Sequence, residues 1–139
     1  MRLHNTLTGK LEELQPLAPP EIRMYVCGLT VYGRGHIGNY RTFVATDLLR
    51  RALRYKGYRL RHVMNITDVE DKIIRNAMQK GQTLQEYTAQ YTQAFMDDAK
   101  TLRLQSPERW AFASQHIDDM VAGIQQLATK LLPDHQQIL

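Results

Sequence analysis

Arg23-Met24-Tyr25-Val26-Cys27-Gly28, then Gly33-Arg34-Gly35-His36-Ile37-Gly38-Asn39, then Arg59-Leu60-Arg61-His62-Val63-Met64-Asn65 is the stretch that decides the fold. The first run is short and β-prone, and it reads as a buried strand that stops at Gly28. A glycine-rich turn follows. Over residues 36–55 the pairs Val44/Ala45, Leu48/Leu49 and Ala52/Leu53 recur every four residues, which predicts a helix with that face buried. Gly57 ends the helix, and residues 59–65 read as a second strand. Two strands joined by a helix of this length are parallel, with a right-handed crossover. Residues 22–65 are thus the opening βαβ unit of a nucleotide-binding α/β sheet.

On the amino-terminal side, Leu17-Ala18-Pro19-Pro20 punctuates the chain, because paired prolines continue neither a helix nor a central strand. A short strand or hairpin is expected before it, around residues 6–14. On the carboxyl-terminal side the chain reads as helical. Residues 70–79 form one helix closed by Gly81. Leu84, Tyr87, Tyr91, Phe95 and Leu102 mark the apolar face of the next, and Ser106-Pro107-Glu108 breaks the chain. Ile117, Met120, Val121, Ile124 and Leu127 mark a last amphipathic packing helix. The tail Pro133-Asp134-His135-Gln136 is polar and expected to fray.

The 139 residues suit one domain or part of a larger one, and a 43% hydrophobic content supports a packed core. No apolar run is long enough to span a membrane, and the start Met1-Arg2-Leu3-His4-Asn5 lacks the apolar region of a signal peptide. The cytoplasm is the expected location. The net charge is +4. It is concentrated in Arg50, Arg51, Arg54, Lys56, Arg59 and Arg61, which read as a solvated helix face and turn, contact with phosphate being the sharper alternative. The single cysteine, Cys27, excludes an internal disulfide and a complete cysteine-rich zinc site. A lone cysteine is ordinarily a small buried hydrophobe.

Gly33-Arg34-Gly35-His36-Ile37-Gly38 fits the dinucleotide pattern G-x-G-x-x-G, but two details argue against it. Its first glycine lies six residues past Cys27 rather than directly after the strand, and the second strand ends in Asn65-Ile66-Thr67, without an acid for a ribose. A better parse places His36-Ile37-Gly38-Asn39 at a helix amino terminus, where unpaired N–H groups and partial positive charge attract an anion. Gly38 leaves room for phosphate or adenine. His36 adds a donor that can follow charge developing on a phosphoryl oxygen. Thr67 ends the second strand, where ligands of parallel sheets sit; Thr67 or Asp68 is also placed to cap the helix that starts near Glu70. Asp68, Glu70 and Asp71 read as capping and surface charges, with Lys72 able to pair with one of them.

Several separated blocks then resemble one family. Asn5-Thr6-Leu7-Thr8, Tyr25-Val26-Cys27-Gly28-Leu29-Thr30-Val31-Tyr32, His36-Ile37-Gly38-Asn39, Arg41-Thr42-Phe43 and Asn65-Ile66-Thr67-Asp68-Val69-Glu70-Asp71-Lys72-Ile73-Ile74 match cysteinyl-tRNA synthetases in order and spacing. The likeness is strong from Leu3 to about Leu102, weaker through Ala113-Ser114-Gln115-His116-Ile117, and fades after Leu127.

The resemblance implies a class I synthetase Rossmann-type fold. Residues 1–80 would be the amino-terminal half of the catalytic domain and residues 81–139 a helical connective segment. Cys27 would be a zinc ligand, a soft thiolate suited to Zn²⁺ and to discrimination of cysteine from serine. His36, Gly38 and Asn39 match the ATP signature His-Ile-Gly-His, with Asn39 in place of the last histidine. Gly28 and Thr30 line the ATP side of the strand-to-turn wall, and Thr67 would touch the substrate cysteine. The implied reaction is attack of the cysteine carboxylate on the α-phosphate of ATP, which is bound with Mg²⁺, followed by transfer of cysteine to tRNA(Cys). The chain is expected to be a monomer. A Lys-Met-Ser-Lys loop and the further zinc ligands of the family are absent. Negligible aminoacylation is therefore expected of this polypeptide alone, whether it is an excised piece or a truncated paralogue. Two other readings stay open: a non-catalytic binding or regulatory module, and the related ligase that joins cysteine to an amino-sugar inositol in mycothiol biosynthesis.

Overall fold

The computed structural model describes residues 1–131; the polar tail from Pro133 lies outside them. Three parallel strands form the central sheet in the order β3-β4-β5, with β3 at Glu21–Val26, β4 at Arg59–Ile66 and β5 at Arg109–Phe112. A separate antiparallel hairpin, β1 (Arg2–Asn5) and β2 (Lys10–Glu13), precedes them. The hairpin starts earlier than residues 6–14, since Thr6 to Gly9 form its turn. Helix α1 (Ile37–Tyr55) is the crossover between β3 and β4, and α2 (Asp71–Gln79) and α3 (Leu84–Thr101) connect β4 to β5. A 3-10 turn (Ala113–His116) and α4 (Ile117–Leu131) follow. No helix among the described residues is long and apolar enough to cross a membrane.

Helix boundaries follow local chemistry. Gly57 and Gly81 take positive φ immediately after α1 and α2. In each case the next N–H reaches back to the last turn, Tyr58 to the Leu53 carbonyl and Gln82 to the Ala77 carbonyl, a glycine-terminated end. Thr83 and Glu86 form a reciprocal capping box at the start of α3.

The core lies between the sheet and the helices. Leu29, Val31, Met64 and Ile66 from the strand side meet Tyr40, Phe43, Ile73, Ala77, Tyr87 and Phe95 from the helices. The Phe43 and Phe95 rings approach to 5.2 Å, and Phe95 meets Trp110 edge-on at 6.0 Å, geometries favoured by aromatic quadrupoles. Strand β3 is not buried throughout: Ile22 points inward, whereas Tyr25 is 62% exposed. Side chains alternate across the sheet, and the described helices pack on the face that Ile22 joins; the central strand β4 alternates likewise.

The inward face of α1 differs from the face that its apolar pairs predict. Tyr40, Phe43, Asp47, Arg50 and Leu53 are buried, while Val44 and Leu48 stand out in solvent. The reason is an ionic clamp. Arg50, only 1% exposed, donates to the Gln105 and Ser106 carbonyls and pairs with Glu108 at 3.4 Å. Asp47 accepts from the Gln105 N–H at 3.0 Å and from Arg51 at 2.7 Å. Arg54 reaches both Gln105 and Glu108. Arg50 is therefore a structural residue rather than part of a solvated face, whereas Arg51 and Arg54, though tied into the clamp, keep exposed side chains as that reading expected. Together they hold the segment that feeds β5, a strand within the stretch expected to be helical. Glu108 completes the clamp by accepting the His62 N–H of β4 at 2.7 Å.

Two further expectations change. Leu102 lies past the core, half exposed. The apolar stripe of α4, from Ile117 to Leu127, is exposed rather than packed against the described residues.

Removing Arg50 leaves the Gln105 and Ser106 carbonyls without their donor, while Asp47 keeps Arg51 and Glu108 keeps Arg54. Arg50→Met should therefore lower the unfolding free energy by about 2–6 kcal/mol, the cost of two part-buried carbonyls left unsatisfied, measured by urea denaturation. Acid should act on the same place. Burial depresses the His62 imidazole, and the adjacent Arg50 adds to this. For Glu108, burial pushes its carboxyl up, but the His62 and Glu108 backbone N–H groups with Arg50 and Arg54 outweigh it and hold it below the usual range. Both groups bind protons more readily in the unfolded chain, so stability is full at neutral pH and falls as acid is added. The loss begins near 6.5, the ordinary value for His62, and deepens below 4.5, the ordinary value for Glu108. His62→Leu should remove the first phase and leave the second. A wild-type urea midpoint that stays flat from pH 7 to pH 5 would contradict this, both values being on the order of the imidazole range.

Candidate functional site

The carboxyl ends of β3 and β4 carry a register change. Val26 is opposite Met64, yet the next bridge pairs Thr30 with Thr67. Three residues, Cys27, Gly28 and Leu29, thus face two, Asn65 and Ile66. One extra residue on β3 is a bulge, which bends the strand and re-aims a side chain. The bulge is closed above by two backbone bonds: Thr67 donates to the Leu29 carbonyl and Val31 to the Thr67 carbonyl, both at 3.1 Å. Within it, the Gly28 N–H donates to Asn65 Oδ1 at 2.9 Å instead of to a main-chain carbonyl. A Cβ on Gly28 would sit 1.8 Å from the Asn65 carbonyl oxygen, so only glycine fits.

The consequence is that Cys27 is exposed rather than the buried hydrophobe that a lone cysteine usually is. It shares its outward face with Tyr25, two residues back. Burial raises the Tyr25 phenol, and the Cys27 sulfur adds to this by charge and hydrogen bonding. Thr30 and Thr67 bridge beside it, both half-buried.

The loop that leads from this bulge to α1 is anchored from below. Val31 is fully buried. The Tyr87 hydroxyl donates to the Tyr32 carbonyl at 2.7 Å and in turn accepts from Asn76 at 3.1 Å. Lys72 sits 3.7 Å from the centre of the Tyr32 ring, a cation–π contact, and not in a pair with the neighbouring acids. Asp68 does not cap α2 either. Its carboxylate accepts from the Ser114 N–H at 2.8 Å and from the Ser114 hydroxyl, so it ties the end of β4 to the 3-10 turn after β5. The α2 start at Glu70 has no side-chain cap.

His36 and Asn39 cap α1 reciprocally. The Gly38 N–H donates to His36 Nδ1 at 3.1 Å, and the His36 N–H donates to Asn39 Oδ1 at 3.0 Å. Two chemical facts follow. A neutral His36 whose Nδ1 accepts must carry its proton on Nε2, and Asn39 keeps its Nδ2 amide as a donor. The capping spacing, a polar residue followed three later by an amide, was visible in the sequence, but the pattern is usually written for Ser or Thr. A Cβ at Gly38 would lie 2.9 Å from His36 Cε1, so glycine there also keeps the imidazole in its cap. The first turn of α1 holds no acidic residue, which leaves its positive end unneutralised.

Because α1 follows β3 in a parallel unit, its amino terminus stands at the same sheet edge as Cys27 and Thr67. Topology thus assigns Cys27, Gly28, Thr30, His36, Gly38, Asn39 and Thr67 to the carboxyl-end side of the sheet, where hydrogen bonds join Gly28 to Thr67 through Asn65 and, separately, His36 to Gly38 and Asn39. The residue that sequence reasoning missed is Asn65, whose side chain links the two strands; a register change cannot be seen in either strand alone. No group of three or more His, Cys, Asp or Glu able to hold a metal occurs among the described residues. Cys27 thus fits zinc as one ligand, and the described residues do not form a complete tetrahedral set.

Residues 13–133 match the family described as tRNA synthetases class I (C) catalytic domain. The chain is 54% identical over 127 residues to a cysteine–tRNA ligase of Koribacter versatilis (strain Ellin345), an alignment covering 91% of this chain and 26% of that protein. It is 55% identical over 127 residues to a cysteine–tRNA ligase of Solibacter usitatus (strain Ellin6076), covering 91% and 27%. With a cysteine–tRNA ligase of Pyrococcus horikoshii it shares 40% over 130 residues, covering 94% and 27%. The chain therefore spans about a quarter of the length of the curated relatives it matches.

The reciprocal cap makes a measurable statement. His36→Ala and Asn39→Ala should each lower stability by about 1 kcal/mol, and the double variant by less than the sum, since each side chain caps the other's backbone. Strict additivity in thermal melts would contradict the paired geometry.

Proposed function

The chain belongs to the class I cysteinyl-tRNA synthetase catalytic-domain family, and we propose that it carries the cysteine- and ATP-binding edge of a cysteine–tRNA ligase. The proposed reaction makes cysteinyl adenylate from cysteine and ATP and then transfers cysteine to tRNA(Cys), as a cytoplasmic step of translation. The observation that carries this reading is the exposed thiol of Cys27, lifted on a bulge at the same sheet edge as the capped start of α1.

The proposed roles are those that the family resemblance implies for these residues, and the reciprocal cap and the bulge support them. The amino terminus of α1 and the Nε2 proton of His36 meet the phosphates of ATP, taken as its magnesium complex. Gly38 lets nucleotide approach the backbone, and the Asn39 amide adds a neutral donor. Gly28 and Thr30 form the wall between nucleotide and amino acid. Thr67 contacts the substrate cysteine. A carboxylate oxygen of cysteine forms a bond to the α-phosphorus, the bond to the bridging oxygen breaks, and that electron pair leaves on pyrophosphate. None of these side chains acts as a nucleophile; they orient the reactants and offset charge. Zinc, when bound, would polarise the substrate thiol, with Cys27 as one ligand. No step assigned to these residues runs through it.

Isothermal titration tests the reading. A non-hydrolysable cysteinyl-adenylate analogue should bind the chain more tightly than ATP, and His36→Ala should weaken it about tenfold, the scale of one lost hydrogen bond. No binding of either ligand would contradict the proposal and favour a scaffold without a working site.

A further inference from the structure

We propose that Asn65 is a positioning residue for this site: its single amide both holds the bulge that presents Cys27 and turns the Thr67 hydroxyl into a hydrogen-bond donor for the substrate. This deepens the proposed function and rests on it.

The two ends of the amide have different partners. Oδ1 accepts the Gly28 N–H at 2.9 Å, and Nδ2 donates to Thr67 Oγ1 at 3.2 Å. The orientation is not arbitrary, because a backbone N–H only donates and so must face the amide oxygen. That choice places the NH₂ group against Thr67. The Thr67 main chain is already committed on both sides, to Leu29 and Val31. Its oxygen receives the Asn65 proton, so its own hydrogen must point elsewhere. Among the described residues it donates to no acceptor. Thr67 thus stands at the sheet edge as a donor in need of an acceptor, a role suited to a carboxylate, carbonyl or thiolate lone pair of a small amino-acid ligand.

No other small side chain does both tasks. Aspartate would still accept from Gly28, but it would also accept from Thr67, which would turn the hydroxyl hydrogen inward. Alanine would leave the Gly28 N–H without its partner. The pair N65D and N65A therefore separates the hold on the bulge from the orientation of Thr67.

The test combines amide exchange by NMR with titration of the non-hydrolysable cysteinyl-adenylate analogue, on the chain and its N65A, N65D, T67V and N65D/T67V variants. In N65A the Gly28 amide should exchange at least about tenfold faster, with Val31 and Thr67 little changed. In N65D the Gly28 protection should remain. N65D and T67V should each weaken the analogue about tenfold, and the double variant should be no weaker than T67V, because Asn65 acts through Thr67. An N65D effect that persists undiminished in the T67V background would overturn the orienting role; simple charge repulsion would give that result. Unchanged Gly28 exchange in N65A would overturn the hold on the bulge. If N65A does not fold, the N65D and T67V cycle still decides. A wild-type chain that binds no analogue would refute the proposed function and the Thr67 half of this inference with it, while Gly28 exchange would still judge the other half.

Discussion

One extra residue between Val26 and Thr30 shapes everything at the sheet edge. Parallel strands alternate their side chains across two faces, so a one-residue insertion reverses which face the next side chain meets. Here the insertion is absorbed within Cys27, Gly28 and Leu29, opposite Asn65 and Ile66. The regular ladder loses a bond, and the Asn65 side chain supplies the acceptor that the main chain cannot. Leu29, the last residue of the bulge, and Val31 after it return to the core, while Cys27 stays in solvent. A chemically reactive group is thereby held outside on a frame whose next residues are fully packed.

The frame itself rests on charge as much as on apolar burial. Arg50 joins α1 to the segment before β5, and Glu108 joins that segment to β4. A buried ion pair adds little over well-packed apolar groups, but breaking one partner is expensive. The clamp therefore specifies where the third strand lies. Burial lowers the tendency of Arg50 to hold its proton, while Glu108 and Asp47 oppose that effect. His62, fully buried beside them with neither ring nitrogen bonded to the described residues, makes the clamp sensitive to acid. The loop above is secured separately through Tyr87 and Tyr32, so the site and the clamp share the sheet without sharing side chains.

Much of the fold could be read directly. The apolar run before Gly28, the stop at Gly57 and the second β-prone run place β3, α1 and β4 within a residue or two, because these signals are local. The family resemblance likewise rests on blocks close in sequence. The failures have a common cause in distance along the chain. Arg50 looks like part of a solvated basic run, since its partners lie 55 to 58 residues away. Its burial takes the place on α1 that Val44 and Leu48 seemed to claim. Strand β5, four residues long and partly polar, has no periodicity of its own and forms only where β4 receives it. At the site, Cys27, His36 and Thr67 could be named, but the reciprocal cap of His36 with Asn39 and the bridge made by Asn65 required geometry.

As proposed, the thiol of Cys27 and the start of α1 border one binding edge. The most direct measurement is the rate at which iodoacetamide alkylates Cys27, the chain's single cysteine, with and without a saturating cysteinyl-adenylate analogue. The account predicts ready modification of the exposed thiol in the free chain and slowing by about tenfold or more when the ligand is bound. Equal rates in the two conditions, or a thiol that reacts only after unfolding, would contradict it.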